Sequence, residues 1–205
     1  MKSARIGSRT RRFKCSAGYG LLLLVARDLG GQTVISTERL ILRNWRDDHF
    51  QHFFAMHMDP RVMADLGGPM TEYQSQQKFE RYRTAEIEHG ISRWAVEDRE
   101  GKFLGYAGVM PRMTTNHPLG SHYEVGWRFN RNAWGCGYAT ESAKAALVHA
   151  KSHLDATEIV SYTSAENLRS QAVMGRVGLI RRRSLDFLLP VENDKFWRGL
   201  VWVAL

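Results

Sequence analysis

Residues 130–142 read NRNAWGCGYATES, with Gly135 and Gly137 one residue apart and a run of small, helix-favouring residues behind them. A glycine-rich turn that feeds a helix offers unpaired backbone N–H groups at the positive end of the helix dipole, which is a seat for an anion. Glycine also lets the backbone approach a ligand with no Cβ in the way. Two common nucleotide loops are excluded. A Rossmann fingerprint needs a third glycine at position 140, where Thr140 stands, and a P-loop needs Gly-Lys-Ser/Thr where Tyr138 and Ala139 follow. A pyrophosphate suits what remains, and Arg131 can add a point charge at the rim.

The elements that must hold this loop can be read on either side of it. The stretch 122–130, HYEVGWRFN, alternates as a strand, with Tyr123, Val125, Trp127 and Phe129 on one face and His122, Glu124, Gly126 and Arg128 on the other. Behind the loop, Ala139, Ala143, Ala146, Leu147 and Ala150 form a helical stripe of mostly small side chains, able to pack close to a sheet. Strands are expected at 39–45, 92–98, 103–110 and 158–164, with two more in RRRSLDFLL and WRGLVWVAL. Helices are expected at 47–57, opened by Asp47, at 71–90 between Thr71 and Gly90, and at 167–177, capped by Asn167 and ended by Gly178. Residues 98–102 read as a hairpin turn, and 59–70 and 111–121 as loops. The order predicts one mixed α/β domain without strict βαβ alternation.

A chain of 205 residues suits one full-sized domain. The net charge of +8 is unevenly spread: residues 1–33 hold seven of the 29 basic residues and only Asp28 of the acids. The basic character therefore belongs to an N-terminal arm, expected to be a disordered extension over 1–33, with the folded domain over 34–205. The arm's apolar run, LLLLVA, is six residues long, against the roughly 20 that a membrane span needs. Arg27 and Asp28 follow it at once, which disfavours an export signal. Cys15 and Cys136 are far apart, so no disulfide framework or thiolate zinc site is expected, and a reducing cytoplasm is the default. His149 and His153 share a helix face but lack the Glu of HExxH and a third ligand, so no metal is expected.

The segment WGCGYATESAKAAL, preceded by EVGWRF and followed by NLRSQAVMGRVGL, resembles the GNAT acetyltransferases, in particular the RimJ/RimL-like branch that includes ribosomal-protein N-terminal acetyltransferases. TERLILRNWRDDHF and DPRVMADLGGPMT fit the same branch, so the resemblance runs from about Ile35 to Leu205. It implies a central, mostly antiparallel sheet of six to seven strands, splayed in the middle and flanked by about four helices. It also implies acetyl-CoA as donor, with its pyrophosphate in the glycine loop. The implied donor contacts are Val125, Gly126 and Trp127 on the strand, and Arg131, Asn132, Trp134, Gly135, Cys136, Gly137, Tyr138, Ala139 and Thr140 in the loop and helix start. Asn167 and Ser170 complete them, the Asn bonding the pantetheine amide. Asn132 stands where the family often has Gln or Arg, a shorter side chain that weakens one contact.

Acetyl transfer to an amine needs a neutral amine, a stabilised oxyanion and a tolerable thiolate. By resemblance a backbone N–H near Val125 or Gly126 meets the thioester carbonyl. Glu124 is the candidate general base through a water, and the alternative is that it ion-pairs with an Arg on the sheet. Many relatives place a Tyr acid seven residues after the Asn, where this chain has Met174, leaving Ser170 to hydrogen-bond the thiolate. Cys136 lies in the phosphate loop, too far from the thioester for an acyl-enzyme. Phe50, Phe53 and Phe54, with Trp45 and Trp94, read as core. The expected function is transfer from acetyl-CoA to a primary amine, either a protein N-terminus or a small molecule. Two alternatives stay open: a catalytically silent acyl-CoA-binding module, and a nucleic-acid-associated protein acting through the arm. No membrane partner is expected, and a homodimer is left open.

Overall fold

The alternation in RLILRNW folds as the strand β4 (Leu40–Arg43), with Leu40 and Leu42 buried and Ile41 and Arg43 only partly so. It is one of eleven strands, joined by four α-helices, in the computed structural model, which describes residues 11–14, 22–27, 32–155, 158–191 and 195–205. Before β4 come β1 (Arg11–Lys14), β2 (Leu22–Arg27) and β3 (Thr33–Ser36). After it come α1 (His49–Met58), α2 (Glu72–His89), β5 (Arg93–Asp98), β6 (Phe103–Arg112), β7 (His122–Phe129) and α3 (Tyr138–His153). The chain closes with β8 (Ile159–Thr163), α4 (Leu168–Arg176), β9 (Ile180–Arg181), β10 (Phe187–Val191) and β11 (Lys195–Ala204). The sheet order is β1-β2-β3-β4-β5-β6-β7-β8-β11-β10, with β9 also on β11.

The class is as expected, but the sheet is larger than six or seven strands. Part of the excess lies inside 1–33, expected to be a disordered extension. There β2 pairs antiparallel with β3, Leu24 opposite Ser36, and Leu23 is buried in a core cluster with Ile35, Leu40 and Leu42. The run LLLLVA is too short to cross a membrane but long enough for a half-buried strand. No helix among the described residues is long and apolar enough to cross a membrane.

Helix ends follow local chemistry. Thr71 and Gln74 form a reciprocal capping box at the start of α2, and Gly90 closes it in the left-handed region at φ 66°. Asp47 does not cap α1. Asp48 is the N-cap, without a side-chain bond, and the Asp47 carboxylate instead meets Arg83 of α2 at 2.6 Å. Helices α1 and α2 cover one face of β5 and β6 through Phe53, Met56, Phe79, Tyr82 and Tyr106. The small residues Ala145 and Ala146 bring α3 against Trp94, Val96 and Ala107 on the other face. Trp45 and Trp94 are core residues, their indole N–H groups bonded to the Arg93 carbonyl (2.6 Å) and Glu86 (2.7 Å).

Candidate functional site

Every strand pairing in the described sheet is antiparallel except that of β7 with β8, which is parallel and consists of one residue pair, Glu124 with Val160. Beyond that pair the strands part. A crevice of about 2070 Å³ opens there, bounded by Trp127, Arg128 and Phe129 of β7, the start of α3 and the start of α4. At its edge Gly135 and Gly137 have φ values of 78° and 80°, a conformation that side-chain-bearing residues rarely hold. Gly137 is the N-cap of α3, so the loop turns the first N–H groups of that helix to the opening.

A brace behind the loop was not recognised in the sequence. Glu141, in the first turn of α3, accepts from the Thr37 hydroxyl at 2.6 Å, from the Arg39 backbone N–H at 3.0 Å and from Arg39 Nε at 2.8 Å. Arg39 also donates to the Cys136 carbonyl at 2.9 Å and lies 4.9 Å from the centre of the Tyr138 ring. Burial pushes the Glu141 carboxyl up, and the bonds from Thr37 and Arg39 outweigh it, leaving it below the usual range. The turn between β3 and β4 therefore fixes the entry of α3. The signal was present in TERL, but no local rule pairs it with a residue a hundred positions away.

Of the expected donor contacts, Trp127, Trp134, Gly135, Gly137 and Tyr138 line the crevice, as do Ala139, Thr140, Asn167 and Ser170. Val125, Gly126, Arg131, Asn132 and Cys136 are not in its lining. Val125 is buried in the core that also holds Met174, and Arg131 and Asn132 are exposed in a one-turn 3-10 helix. Cys136 is exposed, its thiol 3.6 Å from the Trp134 carbonyl. Arg169 lies over the Trp134 ring at 4.3 Å, a further cation at the crevice wall.

Glu124 is not among the crevice residues, and its carboxylate is occupied. Arg93 binds one oxygen, and Arg112 binds the other through Nη2 at 2.6 Å and Nε at 2.7 Å. The Tyr162 hydroxyl donates to that second oxygen at 3.2 Å. Burial raises the carboxyl, and Arg93 and Arg112 more than offset this, bringing it down to about 2. A carboxylate held so low is a poor proton acceptor near neutrality, and the ion pair to a sheet Arg is the reading that this geometry follows.

The mouth of the crevice has a bridge of its own. Asp65, in the short 3-10 turn Ala64–Leu66, accepts from Arg128 of β7 at 3.0 Å and from the Asn167 side-chain amide at 2.9 Å. The Asn167 oxygen meanwhile accepts from the Ser170 N–H at 3.1 Å and caps α4, as expected. Its amide nitrogen is thus bound to the protein's own Asp65, a residue that the sequence placed only in a loop.

The acetyltransferase (GNAT) domain family matches residues 39–180. The chain belongs to this family. Among curated proteins, it is 29% identical over 153 residues to the uncharacterized protein YkkB of Bacillus subtilis (strain 168), covering 74% of this chain and 87% of that protein. It is 26% identical over 172 residues to the uncharacterized N-acetyltransferase YnaD of the same organism, covering 83% and 96%. Solved structures share the fold. A GNAT-family acetyltransferase from Bacillus anthracis superposes with a TM-score of 0.68 at 23% identity, covering 84% of this chain and 98% of its own. RimL, a ribosomal L7/L12 α-N-protein acetyltransferase, does so with a TM-score of 0.67 at 13% identity, covering 85% and 95%. The chain is thus an acyltransferase of the GNAT fold.

Proposed function

We propose that this acyltransferase moves the acetyl group of acetyl-CoA directly to a primary amine while donor and acceptor are bound together. The observation that carries the reading is the coincidence of three features in one crevice: parted strands, a left-handed glycine loop and the N-terminus of α3. The loop N–H groups and the helix dipole would hold the diphosphate, with Arg169 against Trp134 adding charge at the wall. Solved GNAT neighbours support the donor, among them the Microcin C7 self-immunity acetyltransferase MccE in complex with acetyl-CoA and AMP.

Successive N–H groups along a strand point to opposite neighbours, so one of Val125 and Gly126 presents its N–H to the gap beyond Glu124. That group is suited to the developing oxyanion, a contact whose loss costs about 3 kcal/mol of transition-state stabilisation. Ser170 lines the crevice and can hydrogen-bond a leaving thiolate, whereas Met174 is buried in the core and has no proton to give. With Glu124 committed to its two arginines, the acceptor relies on its own neutral fraction, roughly a tenth of an α-amine at pH 7.

The buried thioether of Met174 also favours a second reading, an acyl-CoA-binding module without turnover. One experiment separates the two: acetyl-CoA affinity by calorimetry, alongside free-thiol release with peptide N-termini, amino acids, polyamines and aminoglycosides. Thiol release with any amine establishes transfer. Binding with no release across the panel establishes the module, and no binding at all overturns both.

A further inference from the structure

Between α2 and the sheet lies a set of cations that the carboxylates around them do not balance. Lys78 comes from α2, Arg93 from β5, Arg112 from β6 and Arg128 from β7, and the carboxylates ion-paired to them among the described residues are Glu124 and Asp65. Both carboxylates are spoken for, Glu124 by Arg93 and Arg112 and Asp65 by Arg128. Lys78 is 8% exposed and forms no ion pair among the described residues; the Tyr106 ring lies 6.0 Å from its ammonium.

The surroundings register the imbalance. Burial lowers the Lys78 ammonium to about 8, with Arg128 and Arg93 adding to the fall and the Tyr82 phenol opposing it. Burial would raise the Tyr82 phenol, but Lys78, Arg93 and Arg112 bring it to about 7. His57 of α1 is held neutral, so it adds no charge of either sign near pH 7. Three buried donors also have no acceptor among the described residues: Nε of Arg93, Nε of Arg128, and Oγ of Ser75, which shares the buried face of α2 with Lys78. Unpaired buried cations and donors are costly, and an anion seated among them would satisfy both. The crevice reaches this set at Arg128 and Asp65, and Lys78, Ser75 and Arg93 lie outside its lining.

We propose that Lys78, with the free donors of Ser75, Arg93 and Arg128, receives an acidic group carried by the acceptor. The inference rests on the transferase reading and narrows its substrate class to amines that bear a carboxylate or a phosphate, in preference to polyamines, aminoglycosides and other amines without an acid. Recognition precedes chemistry here, so the transfer step is unchanged: an ammonium first releases one proton to solution, the neutral amine nitrogen then bonds to the acetyl carbon, the C–S bond breaks, and the one further proton that the nitrogen loses ends on the thiol, leaving a secondary amide.

The test uses the full-length protein, saturating acetyl-CoA and matched acceptors: amino acids against their primary amides, and aminoalkyl phosphates against the corresponding amino alcohols. The acid-bearing member of at least one pair type should have a kcat/KM at least about tenfold higher, equivalent to one decade in transition-state affinity. The pair type that shows the preference tells carboxylate from phosphate. Lys78→Met should bring that ratio close to one, while Lys78→Arg retains most of it. Acetyl-CoA affinity by calorimetry should stay within about twofold in both variants, which also reports that they are folded. Neutral members used as well as the acids in both pair types, or a ratio unmoved by Lys78→Met, would overturn the proposal. Absence of thiol release with every amine would instead strike the transferase reading, and this inference with it.

Discussion

The guanidinium of Arg93 occupies the space that a side chain at position 126 would need: a Cβ built on Gly126 falls 2.3 Å from Nη2 and 2.7 Å from Cζ. From there Arg93 reaches Glu124 on the same strand and the Tyr82 hydroxyl at 3.3 Å. The glycine of EVGW therefore makes room for an arginine on the α2 face of the sheet. The family resemblance implies Gly126 only as a donor contact.

Gly126→Ala should accordingly act on stability. Arg93 must move, its bond to Glu124 is strained or lost, and a buried carboxylate is left with one guanidinium. A loss of about 3 kcal/mol is expected, the scale of a broken buried ion pair. Thermal or denaturant unfolding measures it, and an unchanged midpoint would show that Arg93 re-seats at no cost.

Glu124→Gln removes the charge that two buried guanidiniums share, and about 3–5 kcal/mol of stability should go with it. The folded carboxyl, at about 2, lies below its ordinary 4.5. The stabilisation is therefore complete above about pH 4.5 and is lost as the pH falls through about 2. The gap between wild type and variant should be flat from neutral pH down to about 4.5 and narrow from there toward about 2. The shape of the pH–rate profile near neutrality should be the same in both proteins, because no ionisation of Glu124 falls there. An ionisation that disappears in the variant would restore Glu124 as a base.

At Gly135 the argument concerns the backbone. A β-branched residue at φ 78° is strained by about 1–3 kcal/mol, and open space around its Cβ cannot relieve that. The loop is exposed at this position, so Gly135→Val should lower the unfolding midpoint slightly and reduce acetyl-CoA affinity at least about tenfold, through misaligned N–H donors. Calorimetry showing unchanged affinity would remove the loop from the donor site.

What could be read from the sequence was local. The Thr71 cap, the Gly90 stop, the Asn167 cap and the glycine turn before α3 each depend on a few adjacent residues, and each is found where expected. What escaped depends on distance along the chain. Arg93 lies 31 residues from Glu124, Arg39 lies 102 from Glu141, and Asp65 lies 102 from Asn167. Lys78 and Ser75 sit in a helix whose polar composition conceals its buried face. The strands β1 and β2 were masked by basic neighbours, since charge density marked the segment before hydrophobic periodicity could. Residue types announced the family chemistry, and tertiary pairing decided which of those residues were free to perform it.

The last prediction concerns acid. His57 is fully buried, donates from Nδ1 to the Phe53 carbonyl at 2.8 Å and faces the Tyr106 hydroxyl at 3.4 Å. Burial first, and then Lys78, bring the imidazole from 6.5 to about 3, against the pull of the Phe53 bond. Between those two values the unfolded chain holds a proton that the folded chain refuses, so stability rises with pH across this window and is lost on acidification from about 6.5 toward 3. The complete penalty is at most about 5 kcal/mol. Denaturant unfolding at a series of pH values should therefore show wild type losing stability more steeply than His57→Gln, by close to one proton, between pH 6 and 4 (both values approximate). Adding Lys78→Met to the wild-type background should leave the onset of that loss near 6.5 but end it at a higher pH than in wild type, making the total loss smaller, because the imidazole can then accept its proton at less cost. Parallel curves for wild type and His57→Gln would mean that water reaches the ring, and that the packing of α1 against β6 is looser than this structure shows.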